Sequence, residues 1–317
     1  MGIGTVSDSA RRANMPNGRS RRIRKAVIPV AGLGTRMLPF TKAVPKEMLP
    51  IGNKPLIQHA VEEVIASGIK EVILVAPPGK SIIREHFSRN RSLEATLQQR
   101  GRKSDAEAIR SLSELAEIRI ACQEKPLGLG HAVACARELV NGEPFALILP
   151  DAFIVAERPC LAQLMECYEQ LPASYIATRE VLAEEVSRFG MIEVSPVEQG
   201  QWPGRLYQVS GLVEKPAPAA TPSRFGIFGR YLLEPEIFEC LERAAPDRNH
   251  ELQLSDALAI YCREFPLYAF CFEGDHYDVG DRLGFLQACF KIGLSDPAVS
   301  RTFRCFCHSA LSETKHA

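Results

Sequence analysis

The chain has 317 residues, 46% hydrophobic and 24% charged, which excludes a low-complexity polymer and is long enough to bury a core without disulfide or metal staples. Its 38 basic and 38 acidic residues cancel to a formal net charge of +0, which gives no reason to expect nucleic acid as a partner. No apolar run reaches the roughly 18 residues that span a bilayer, so no membrane segment is expected.

Residues 1–24 carry arginines at 11, 12, 19, 21, 22 and 24 and no following apolar stretch of the kind a signal peptide needs. They read as a disordered basic tail. Then "AVIPVA" (26–31), "EVILVA" (71–76), "IRIAC" (118–122) and "FALILP" (145–150) read as buried strands. Between the first two, the apolar positions 56, 57, 60, 61, 64 and 65 share one helical face, with Gly68 suited to the cap. "GHAVACARELV" (130–140) reads as a further helix. This β-α-β alternation predicts an α/β domain with a largely parallel sheet, although Pro29 weakens the first strand. Residues 80–117 are rich in charge at helical spacing and predict a helical excursion off the sheet, used for packing or oligomerisation. After Asp151 the segments "ASYIATREV", "FGMIEV", "GRLYQVSGLVEKP" and "FGIFGRYLL" are shorter and β-rich, a second part laid against the first sheet.

Ten cysteines fall without any C-x-x-C pair, so neither a zinc ribbon nor a thioredoxin-type site is suggested. Several lie in apolar runs, as reduced thiols do in a cytoplasmic protein. Cys305, Cys307 and His308 stand alone near the C-terminus and are assigned nothing specific.

The chemistry concentrates in "AGLGTRMLPFTKAVPKEM" (31–48). A dinucleotide fingerprint would need a third glycine where Met37 stands, and a Walker loop is absent too. Even so, Gly32 and Gly34 let the backbone approach a ligand, Thr35 adds a hydroxyl, and Arg36 offers a planar fork for phosphate oxygens, with Lys42 and Lys46 nearby. Pro39, Pro45 and Pro50 rule out a plain helix. An irregular loop at the carboxyl end of the first strand is predicted, where open α/β sheets bind ligands.

The same stretch resembles the signature of sugar-1-phosphate nucleotidylyltransferases, and within them the branch that uses UTP and glucose 1-phosphate. "QEKPLGLGHAV" (123–133), "LPD" (149–151), "FGMIEV" (189–194), "VEKP" (213–216), "GIFGRYLL" (226–233), "ELQLSDAL" (251–258) and "YDVGDRLGFLQA" (277–288) follow in the order of that family, covering about residues 24–294. The resemblance implies a Rossmann-like nucleotidyltransferase fold, with a mixed, mostly parallel central sheet flanked by helices and a smaller β-rich sugar-binding part. It bounds a domain at 25–294, followed by a C-terminal tail at 295–317.

The resemblance also implies in-line attack by a sugar phosphate on the α-phosphorus of UTP, with pyrophosphate released and Mg²⁺ assisting. Arg36 and Lys46 then match the catalytic cations. Ala31, Gly32, Gly34, Thr35, Gln123 and Gly128 match the nucleotide contacts. Gly190, Glu214 and Lys215 match the sugar-phosphate contacts, and Asp151 and Asp278 the metal ligands. Glu214 and Lys215 are neighbours that must serve one ligand, so the backbone there is expected to twist or to end a strand. His131 is read as a helix start without a catalytic role. The family is commonly dimeric or tetrameric, so a homodimer or homotetramer is expected. A dTTP-using or other-sugar enzyme is the near alternative, and a non-catalytic regulatory relative the distant one. The intact Thr35–Arg36 pair speaks for an active enzyme. Loop 246–250 departs from the family pattern, as does Ala152 after Asp151, where no second acid stands.

Overall fold

In chain order the strands are β1 (Lys25–Pro29), β2 (Pro50–Ile51), β3 (Lys54–Pro55), β4 (Glu71–Ala76), β5 (Glu117–Cys122), β6 (Phe145–Ile148), β7 (Ala152–Val155), β8 (Ser174–Glu180), β9 (Met191–Pro196), β10 (Leu206–Val213), β11 (Phe225–Leu233), β12 (Leu267–Cys271) and β13 (Asp275–Asp278). The computed structural model describes residues 22–79, 81–198, 200–221 and 223–313, so most of the expected basic tail lies outside it. Ile23, within that expected tail, is already buried in the core.

The central sheet has the order β5-β4-β1-β6-β11-β8-β12-β10-β9, with β9 also meeting β11. Its first half is parallel: β1 pairs in parallel with β4 and β6, and β4 with β5. β5 at the sheet edge leaves Arg119, Ile120 and Cys122 exposed, whereas β1, β4 and β6 are buried on both faces, which is why they read as apolar runs. Side-chain alternation sorts them into two cores. Ala26, Ile28, Val72, Leu74, Ala146 and Ile148 pack with Ile57 and Val61 of helix Leu56–Ala66 and Leu161 of helix Cys160–Gln170. Val27, Ile73, Val75, Phe145 and Leu147 face the other way, against Val133, Phe238 and Leu258 of helices Leu129–Cys135, Ile237–Arg243 and Leu254–Glu264. Full burial of each such side chain contributes roughly 1.5–3 kcal/mol. Pro29 ends its strand, two residues beyond Val27, where the ladder with β6 has stopped.

The expected second part is corrected by the pairing. β8 to β12 do not lie against the first sheet but continue it, through β11 antiparallel to β6 and to β8. Beyond β6 the sheet is mixed, with β8 and β12 parallel but β10 antiparallel to both β12 and β9. The mostly parallel character therefore holds for the first half alone. Extending β6 satisfies its backbone groups without a second interface, and short segments separated by turns read the same either way in sequence.

The excursion at 80–117 forms helices Ser81–His86, Arg91–Gln99 and Lys103–Ser113 between β4 and β5. A ribbon of β7 and β13 and a hairpin of β2 and β3 pack with helix Arg282–Ser295 around Phe153, Val279 and Ala288. Residues in the C-terminal tail form helix Ser300–Glu313, which lays Phe303 against Phe290 and Gly293. Among the described residues no helix is long and apolar enough to cross a membrane.

The chain runs from β1 outward to β4 and β5 and returns to β6 on the other side of β1. The carboxyl ends of β1 and β6 thus flank the point where strand order reverses, the crevice in which doubly wound sheets bind ligands. The loops that leave those two ends carry Arg36, Lys46 and Asp151.

Candidate active site

The loop after β1 is irregular, as its prolines require, and contains three single helical turns at Thr35–Met37, Phe40–Lys42 and Lys46–Met48. Gly34 has φ 64 and accepts a hydrogen bond from Thr41 Oγ1 at 2.8 Å. A Cβ on Gly34 would stand 3.1 Å from Lys46 Cβ, and one on Gly32 would stand 3.1 Å from Lys46 Cε. The two glycines therefore make room for the Lys46 side chain as well as exposing backbone.

Lys46 runs under the loop to Asp151, with Nζ 2.6 Å from Oδ2 and side chains 19% and 24% exposed. Burial opposes both charges, but each outweighs it for the other. Asp151 is held below the ordinary carboxylate range, and Lys46 is raised by Asp151 and Glu47. Asp151 O accepts from Val279 N at 2.9 Å, and β13 places Asp278 opposite Ala152. The second acid thereby comes beside the first across 127 residues of sequence.

Asp278 Oδ2 is 3.0 Å from Arg36 Nη1, and the Arg36 guanidinium lies over Gly280, where a Cβ would collide with it. Asp278 Oδ1 accepts from Gly280 N at 3.1 Å. A third cation joins them: Arg188 Nη2 is 3.6 Å from Asp278 Oδ2 and 2.9 Å from Asp281 Oδ2. Nothing in the local sequence marks Arg188 beyond its place two residues before Gly190, in the segment that leads into "FGMIEV".

Behind Asp151 lies a buried ion pair between residues far apart in sequence. Arg230 is 2% exposed, with Nη2 2.7 Å from Glu63 Oε2 on helix Leu56–Ala66. Its Nη1 donates to Leu149 O at 3.1 Å and to Ala152 O. The guanidinium thus clamps both ends of the turn that presents Asp151. The available signal was a charge inside the apolar run "GIFGRYLL", which burial permits only with partners.

On the other side of the loop, a cavity of about 280 Å³ is lined by Ala31, Gly32, Val44, Pro77, Gln123 and Pro126, among others. Gln123 is buried and donates through Nε2 to Gly128 O at 3.2 Å. Gly128 has φ 98 and lies so close to the Leu252 backbone that no Cβ fits. Farther along, β10 ends at Val213 and Lys215 takes φ 40, so the backbone turns at the strand end, as expected for Glu214 and Lys215. Lys215 Nζ is 3.4 Å from Glu214 Oε1, and a Cβ on Gly190 would stand 3.1 Å from Glu214 Oε2.

The structure therefore joins Arg36, Lys46, Asp151 and Asp278 in one charge-balanced network. It places Ala31, Gly32 and Gln123 on one cavity and groups Gly190, Glu214 and Lys215 at a third point. Arg188 pairs with Asp278 of the first group and stands two residues before Gly190 of the third. Among the described residues no group of three metal-ligating side chains occurs, and all ten cysteines are free.

Residues 25–293 match the model of the family described as nucleotidyl transferase. The chain belongs to that family. The match starts at the first residue of β1 and ends inside helix Arg282–Ser295, so it takes in every group of site residues and leaves out helix Ser300–Glu313. The chain is 43% identical over 277 residues to the UTP–glucose-1-phosphate uridylyltransferase YngB of Bacillus subtilis (strain 168), covering 87% of this chain and 92% of that protein. It superposes with TM-score 0.82 and 34% identity on a UTP-bound UGPase from Acinetobacter baumannii, over 90% of this chain and 99% of that one. A UDP-glucose pyrophosphorylase complexed with UDP-glucose matches with TM-score 0.76 and 35% identity, over 84% of this chain and 97% of that one.

Proposed function

We propose that this chain transfers the uridylyl group of UTP to glucose 1-phosphate, giving UDP-glucose and pyrophosphate. The observation that carries the reading is the Lys46–Asp151 and Arg36–Asp278 network at the switch point of the sheet. The names of the relatives and the ligands of the matched structures support it.

The reaction joins two anions, so it needs alignment and charge neutralisation more than reactive side chains. A phosphate oxygen of glucose 1-phosphate forms a bond to the α-phosphorus, and the bond from that phosphorus to the β-phosphate oxygen breaks. Lys46 and Arg36 neutralise the triphosphate and the leaving pyrophosphate. Ala31, Gly32, Gly34 and Thr35 offer backbone and hydroxyl groups to the nucleotide, and Gln123 and Gly128 meet its base. Gly190 leaves room for the sugar, whose hydroxyls Glu214 accepts, and Lys215 meets its phosphate.

Asp151 and Asp278 fit a divalent cation, and Mg²⁺ is the ion we assign. The test is the donor set: two carboxylates at neighbouring strand ends, now balanced by Lys46 and Arg36, become available when those cations turn to phosphate oxygens. Mg²⁺ is commonly held by one or two carboxylates with substrate phosphates. When bound, it supplies further neutralisation of the phosphates. Free thiols throughout fit a cytoplasmic setting. Exposed Leu283 and Leu286 on helix Arg282–Ser295 support a homo-oligomer.

The test is pyrophosphate release from a panel of nucleoside triphosphates and sugar 1-phosphates with Mg²⁺. UTP with glucose 1-phosphate is expected to be the best pair. Binding without turnover would replace this reading with the regulatory one, and preference for dTTP would move it to the sister activity.

A further inference from the structure

Gln123 has one primary amide to present to a nucleobase, and an amide can offer either a donor or an acceptor. Which one it offers is settled by its neighbours. Gly128 O can only accept, so the atom 3.2 Å from it must be Nε2 and not Oε1. The same Nε2 lies 2.9 Å from His131 Nδ1. A nitrogen with two hydrogens and two such neighbours has spent both. Oε1 receives no hydrogen bond among the described residues and is the polar atom the side chain has left for the cavity it lines.

His131 sits on helix Leu129–Cys135, one turn before Cys135, whose Sγ is 3.8 Å from the same ring nitrogen. For Nδ1 to accept from Gln123, the ring proton must be on Nε2. The helix itself is anchored to the far wall, because Gly130 N donates to Leu252 O at 2.8 Å and Leu252 N donates to Leu127 O at 2.7 Å. The helix that carries His131 is therefore held in place by backbone, and with Gly128 O and Nδ1 both on Nε2 the amide has little freedom to turn over.

We infer that His131 is a positioning residue for base selection, fixing the Gln123 amide so that its oxygen faces the base. This rests on the uridylyl reading of the site. An inward acceptor matches the N3–H of a uracil-type ring and opposes the bare N3 of cytosine, whose lone pair would meet Oε1. Gly128 O alone constrains one amide hydrogen. Without Nδ1 the second hydrogen loses its partner, and the amide can twist or present nitrogen to the cavity. Selectivity against the wrong base is a difference between two affinities, so loss of the fixed acceptor weakens one and relieves the other.

The test is equilibrium binding of UTP and CTP by calorimetry to the full chain and to three variants. His131→Phe and His131→Leu keep bulk but lack an acceptor, and either serves if the other does not fold. His131→Asn restores an oxygen near the position of Nδ1. Expected is a UTP-over-CTP preference in the parent chain that falls by about tenfold in the acceptor-free variants, the size of one lost hydrogen bond, and largely returns in His131→Asn. In turnover with UTP, KM is expected to rise more than kcat falls. An unmoved UTP/CTP ratio in a folded acceptor-free variant overturns the inference, as does a parent chain with no preference. The functional reading fails separately: a chain that prefers UTP in binding but releases no pyrophosphate refutes the activity and leaves the role of His131 standing.

Discussion

Replacing Arg230 by Met separates two jobs that its guanidinium performs. The side chain is 2% exposed, and its removal strands the Glu63 carboxylate, 11% exposed, with Leu161 N as the remaining donor. Breaking a buried pair by deleting one partner costs about 3–5 kcal/mol. The carbonyls of Leu149 and Ala152 lose donors too, and each is worth about 1 kcal/mol or more if nothing replaces it. At about 2–4 °C per kcal/mol, the loss of the pair alone is a fall in Tm of roughly 6–20 °C. Adding Glu63→Met removes the stranded charge, so the double variant is expected to recover most of that loss. It is not expected to recover the rate. The turn 149–152 still lacks its clamp, and a displacement of Asp151 by about 1 Å can cost on the order of 100-fold in turnover. Thermal unfolding and kcat for pyrophosphate release, measured on both variants, check this. A double variant restored in both stability and kcat would show that Arg230 is only a packing element. A single variant destabilised by less than about 1 kcal/mol would refute the buried-pair reasoning itself.

Lys46→Ala is expected to lower kcat by a factor of at least about 100, since a positioned cation is removed from the reacting phosphates. Arg36→Ala should lower the rate as well but leave Tm nearly unchanged, because Arg36 is 58% exposed and its pair with Asp278 is solvent-screened; unchanged rates in both variants would sink the assignment of these cations. Asp151→Asn should raise the Mg²⁺ concentration needed for half-maximal rate, read from a metal titration, and an unaltered requirement would remove Asp151 from the metal site. His276, packed on Phe189 and Phe228, is pushed down to about 3 by burial and by Arg230, Arg179 and Arg188. The unfolded chain takes up this proton below its ordinary value of 6.5 and the folded chain does not. Stability from His276 is therefore complete above pH 6.5 and lost as pH falls toward 3, by up to about 1.4 kcal/mol per unit. Denaturant titrations at several pH values should show that His276→Phe flattens this acid limb; an equal slope in both proteins would refute it.

The sequence made some of this legible and hid the rest for physical reasons. Runs such as 71–76 could be read because a strand covered on both faces must be apolar throughout, and β4 occupies that run to the residue. Asp151 stands out in the sequence because a charge after a buried strand needs a partner, and Arg36 and Lys46 because their glycine- and proline-rich loop resembles a family signature. Pairing between strands could not be read in that way. Whether β11 would lie against the sheet or extend β6 depends on backbone hydrogen bonds, which leave no side-chain signature. Arg188 and Arg230 escaped because their meaning lies in partners 93 and 167 residues away, Asp281 and Glu63.

Those distant partners also explain how the site can exist before any ligand arrives. Lys46, Arg36 and Arg188 would repel one another if left alone at the mouth of one crevice. Asp151, Asp278 and Asp281 balance them in the folded chain at 2.6, 3.0 and 2.9 Å. Asp151 and Asp278, which we propose for the metal, thus also hold Lys46 and Arg36 in place. On the proposed reading, binding is an exchange of partners, carboxylate for phosphate, in which little net charge has to be newly buried. That is why Asp151→Asn is expected to affect the placement of Lys46 along with the metal requirement. It also follows that any loss of stability should appear above the carboxylate range, where Asp151 is charged in the folded and unfolded chain, and fade as pH falls through its lowered folded value.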